Sequence, residues 1–188
     1  MPDDGSVPAF STERAGFGVE HDVVAGRPMR NLGALQTAEL FLLSAIRLWC
    51  ANEKTPCRRA LLRNGFHAVN LSCAHYAQFG ELMNSIAAAQ LVKAGRPFTC
   101  ARAACAPVMH DEAWLLECFA LIQHHRSRET TDLLAALLPP AAVRAAVEAL
   151  DSLAAALAGV GLHLRIRSMI APIHPASLWR HSLSRMVH

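Results

Sequence analysis

The sequence predicts an all-α fold: a compact bundle of about five helices over residues 35–162, preceded by a disordered leader at 1–34 and followed by a basic flexible tail at 163–188. Three observations carry this. Hydrophobic residues make up 53% of the 188, and much of that share is alanine, the strongest helix former. Apolar residues recur at steps of three and four, the spacing of one helical face. No stretch sustains strand-like alternation convincingly, although HLRIRSMI passes for one over a few residues.

Residues 1–34 hold Pro2, Pro8, Pro28 and several glycines among Asp3, Asp4, Glu13, Glu20 and Asp22. With no apolar period they bury too little to offset ordering entropy. From Thr37 the text changes to TAELFLLSAIRLWCAN, a helix that is mostly buried because only Glu39 and Arg47 interrupt its apolar run.

Thr55 followed by Pro56 reads as cap and first helical residue, opening a short helix to about Arg63 that Asn64 and Gly65 stop. Phe66, Val69, Cys73, Tyr76, Phe79, Met83 and Ile86 then form one stripe, read as a single helix. Between Val92 and Met109, Gly95, Pro97 and Pro107 break all periodicity. A loop of that length in a compact domain is usually functional or locally structured.

MHDEAWLLECFALIQHHRSR begins with Asp111 and Glu112 and ends with His124, His125, Arg126 and Arg128. That charge order complements a helix dipole. Glu129–Leu138 is a further short helix. Pro139 and Pro140 restart an alanine-rich one with the stripe Val143, Val147, Leu150, Leu153 and Leu157, closed by Gly159 and Gly161.

The net charge of +3 is uneven, since no acid follows Asp151 while Arg165, Arg167, Arg180 and Arg185 do. A basic tail beside an acidic leader is not a nucleic-acid surface, which argues against a nucleic-acid partner. Weak binding of acidic surfaces is left to the tail. The apolar runs are too short and too often broken for a transmembrane segment. The opening MPDDGSVPAF lacks a basic, apolar signal sequence, and six scattered cysteines do not form a disulfide framework. These features indicate reduced thiols in a cytoplasmic protein.

Cys100 and Cys105 sit in the irregular loop, where two thiolates can bend toward one ion. His110 follows at the next helix, and Cys73 or His75 is the remaining candidate ligand, which makes Cys100, Cys105 and His110 a zinc set. Five-residue spacing is wider than the tight pairs of structural zinc sites, and burial as small hydrophobes explains Cys73 and Cys118. Arg96, Arg102 and His110 near the two loop cysteines also suit a redox-active thiol. Cys50 and Cys57 flank the first inter-helix turn. His110, Asp111 and Glu112 are adjacent on a helix and point apart, so capping explains them better than catalysis. His124 and His125 belong to a basic helix end.

The order AELFLLSAIRLW, a helix ending in AAAQ, RPFTCARAAC, MHDEAWLL and a proline-restarted alanine-rich helix resembles a family of uncharacterised alphaproteobacterial helical proteins, known only as a domain of unknown function. The resemblance implies a fold and no activity, substrate or cofactor. No phosphate loop, paired Glu/His di-metal motif or serine elbow is present in the sequence, so the reading leans away from an enzyme. A non-enzymatic interaction or regulatory module, binding a protein partner or a second copy of itself, is the expectation. The alternative is a metal-binding or thiol-redox-responsive protein using Cys100 and Cys105.

Overall fold

The computed structural model describes residues 35–51, 56–102, 105 and 107–167. Among them the chain forms six helices and no strand: α1 (Thr37–Cys50), α2 (Pro56–Ala68), α3 (Cys73–Ala94), α4 (His110–Gln123), α5 (Ser127–Leu137) and α6 (Pro140–Gly159). The fold is all-helical, with six helices rather than five. No helix among the described residues is long and apolar enough to cross a membrane. The leader, Thr55 and residues 168–188 of the expected tail lie outside the described residues.

The striped segment from Phe66 to Ile86 is two helices, not one. Asn64 and Gly65 do not end α2, which runs on to Ala68. The break falls at Asn70, in the left-handed region at φ 61°, which asparagine tolerates better than most side chains. Ser72 then caps α3, its hydroxyl accepting from His75 N at 3.4 Å. Phe66 stays in the core despite the break and meets Phe79 and Tyr76 at ring separations of 5.5 and 6.0 Å. The stripe marks buried positions at Phe66, Phe79, Met83 and Ile86, but neither the helix boundaries nor Cys73, which is exposed.

α4 is the axis of the fold. Every residue from Asp111 to Ile122 is buried, which a helix achieves only when neighbours cover all its faces. α1, α5 and α6 supply that cover. Trp114, Leu115 and Phe119 are completely enclosed, each contributing roughly 1.5–3 kcal/mol of transfer free energy. The Trp114 indole N–H donates to Leu133 O at 3.1 Å, so its polar atom is not stranded.

Past α6 the chain folds back over the far end of α4. Gln123 Nε2 donates to Ala154 O and Leu162 O at 3.1 and 3.0 Å, and Gln123 Oε1 accepts from Leu164 N at 2.8 Å. Leu164 is buried. Arg167 pairs with buried Glu39 on α1, its Nη2 lying 2.6 Å from Oε2. Residues 163–167, placed in the tail on sequence grounds, thus lie against the helices.

Candidate functional site

The irregular segment between α3 and α4 is held by side-chain bonds from α1 and from the start of α4. α3 ends at Gly95, whose left-handed φ of 66° closes the helix and whose N–H donates to Leu91 O at 3.1 Å. The chain then crosses the N-terminal end of α4, where two successive carboxylates grip different parts of it.

Asp111, fully buried, accepts both Arg96 Nη1 and Nη2 at 2.7 Å, Thr99 N and Thr99 Oγ1 at 2.9 Å, and Gln90 Nε2 at 3.2 Å. Burial opposes its ionisation. Hydrogen bonds from Arg96, His110 and Thr99 N, together with the Arg96 charge, outweigh that and hold the carboxyl well below the usual carboxylate range. The same hydrogen bond raises the Arg96 pKa against partial desolvation, with the Asp111 charge adding to it.

Glu112, also fully buried, accepts Arg47 Nε at 2.8 Å and Nη2 at 3.0 Å, Ala101 N at 2.9 Å and Met109 N at 2.7 Å. Arg47 in turn donates to the carbonyls of Cys105 and Pro107 at 2.7 and 2.8 Å. The bond to Met109 N is the capping interaction expected of Glu112. The larger role of both acids is to anchor the loop, because side chains about 100° apart on a helix reach two different strands of it.

A disulfide joins Cys50, the last residue of α1, to Cys100 in this loop, with Cα atoms 6.3 Å apart. This corrects the expectation of reduced thiols at these two positions. Cys57, on the other side of the first inter-helix turn, is a free and exposed thiol. Cys105 is a half-buried free thiol, and exposed His110 lies 3.5 Å from Asp111 through Nδ1. Among the described residues no group of three or more His, Cys, Asp or Glu side chains could hold a metal ion.

Cys73 and His75 are also apart in role. Cys73 Sγ lies 3.2 Å from His67 Nε2 on α2, and His75 Nδ1 accepts from Ser72 N at 3.2 Å. Cys73 is exposed rather than a buried hydrophobe, whereas Cys118 is fully buried as expected, and burial with the neighbouring Glu117 charge pushes its thiol pKa far up. His124 caps the returning chain through Leu164 O at 3.0 Å. Sequence reasoning missed Arg47, Gln90 and Thr99 as parts of the loop anchor. The available signal was Arg47 itself, a charge inside an otherwise buried helix, which requires an acidic partner elsewhere.

In comparisons with known proteins no family model matches the chain, and no significantly similar curated protein or solved structure is found.

Proposed function

We propose that the protein is a non-enzymatic regulatory module in which the redox state of Cys50 and Cys100 controls the 96–109 loop, and through it contact with a protein partner or a second copy of the chain. The observation that carries this is the Cys50–Cys100 disulfide, which ties α1 to a loop already held by Arg47, Asp111 and Glu112. The family resemblance adds a helical fold and nothing about activity. The cytoplasmic placement expected from the sequence fits this reading, because a disulfide in a reducing compartment is usually a transient, sensing one.

Reduction takes two electrons and two protons from an external dithiol or from two molecules of a monothiol such as glutathione. The Cys50–Cys100 S–S bond breaks, both residues end as thiols, and the reductant leaves as its own disulfide. In the disulfide form Thr99 N and Ala101 N, on either side of Cys100, are bonded to Asp111 and Glu112; reduction is expected to loosen these bonds while leaving α4 in place.

The test is to equilibrate the protein in glutathione buffers spanning the cytosolic range, count the bond by alkylation and mass spectrometry, and follow loop amides by hydrogen exchange. The expected result is reversible reduction within that range, with faster exchange at 98–102 and no change in α4. A bond that stays closed throughout the range, or a loop whose exchange is the same in both states, overturns the proposal.

A further inference from the structure

α3, α5 and α6 leave an open groove of about 530 Å³, whose lining includes neither disulfide cysteine and no residue of the 96–109 loop. Its walls include Leu138, Val143 and Val147, and charged groups stand at its rim: Lys93 from α3 and Arg144 and Glu148 from α6. Sites of roughly 300–1,000 Å³ with apolar walls and a few placed polar groups are the usual form of a small-molecule site.

The rim is the informative part. The Lys93 ammonium donates to Leu138 O at 3.0 Å and to Ala135 O, both at the C-terminal end of α5. An ammonium has three N–H donors, so one has no partner among the described residues. Arg144 is exposed and makes no hydrogen bond or ion pair among the described residues. Two cations against the single carboxylate of Glu148 leave a net positive rim above an apolar floor.

We infer that the groove binds a small amphipathic carboxylic acid, its apolar body against Leu138, Val143 and Val147 and its carboxylate at the Lys93 and Arg144 rim. A guanidinium matches a carboxylate with two parallel hydrogen bonds. A neutral amphiphile leaves those donors unused, and a cationic one is repelled by them.

Decanoate is the probe, titrated calorimetrically into the full chain below its micellar concentration, beside decanol and decyltrimethylammonium. Decanoate is expected to bind at one per chain and decanol at least about tenfold more weakly, the scale of a charge-assisted hydrogen bond. Arg144→Gln is expected to weaken decanoate about tenfold and leave decanol unchanged. Because Arg144 is exposed, an unaltered circular dichroism melt shows that the variant folds. Absent decanoate binding, equal affinity for decanoate and decanol, or an unaffected Arg144→Gln variant overturns the inference. So does concentration-dependent self-association abolished by Val147→Asp, which assigns the groove to a second copy.

Discussion

Arg47 and Glu112 stand 65 residues apart in the chain and meet at 2.8 Å with 2% and 0% of their side chains exposed. Each also serves the loop, Arg47 through two carbonyls and Glu112 through two backbone N–H groups. A buried pair with those extra bonds is a structural lock, since either charge alone is stranded in a low-dielectric interior.

Arg47→Met is therefore expected to destabilise the fold by about 3–5 kcal/mol, the usual consequence of removing one partner of a buried pair. Glu112→Met removes the same contacts from the other side. The double variant is expected to cost clearly less than the two single losses combined, because both singles break one shared interaction. Urea unfolding of the four proteins measures this, and strict additivity would show that the pair is not coupled.

Asp111 makes stability depend on acid. Its carboxyl titrates near about 3.9 in the unfolded chain and well below the usual range in the fold, so in acid the unfolded state takes up the proton first. The stabilisation is complete at neutral pH, starts to fall as pH drops below about 5 and continues to fall through the acid range. Asp111→Asn is expected to be less stable than the parent at pH 7 and to show a flatter loss between pH 5 and pH 3. Urea midpoints of both proteins across that range decide it; parallel slopes would remove Asp111 as the source.

The parts of the fold legible in the sequence are those set by local period and capping. The charge order of α4, the stripe of α6, the proline restart at Pro140 and the break at Gly95 depend on neighbours a few residues away. The parts that were not legible depend on long-range partners. Cys100 has Cys105 and His110 near in sequence, yet its sulfur bonds Cys50 across a separation of 50 residues. Asp111 and Glu112 look like ordinary first-turn acids because the cations that bury them come from α1 and from the segment after α3. Asn64–Gly65 misled for a related reason: two weak helix formers cost about 1 kcal/mol or less each, and the packing of Leu62 and Phe66 on either side outweighs that.

The two glycines at Gly65 and Gly95 should therefore respond in opposite directions to alanine. An added Cβ meets nothing within 4 Å at either position, so backbone conformation alone sets the sign. At Gly65, inside α2, alanine is expected to stabilise by about 0.5–1 kcal/mol through helix propensity. At Gly95, held at φ 66°, it is expected to destabilise by about 1–2 kcal/mol. Thermal melts of the two variants beside the parent check this; a stabilising Gly95→Ala would mean that α3 does not need its left-handed cap.

Thiol reactivity gives the most direct test of how the cysteines are distributed. Of six cysteines, Cys57 and Cys73 are exposed, Cys105 is half-buried, Cys118 is buried and Cys50 and Cys100 are bonded to each other. Without reductant, a thiol reagent is expected to modify Cys57 and Cys73 quickly and Cys105 more slowly. Cys118 should react only as the chain unfolds, because its thiolate is disfavoured by burial and beyond the reagent's reach. Denaturation without reductant should then expose four reactive thiols, and reduction six. Peptide mapping after timed labelling assigns each rate. Fast native labelling of Cys118 would show that α4 is not the enclosed axis on which the loop anchor depends, and labelling of Cys50 or Cys100 before reduction would remove the disulfide from the argument.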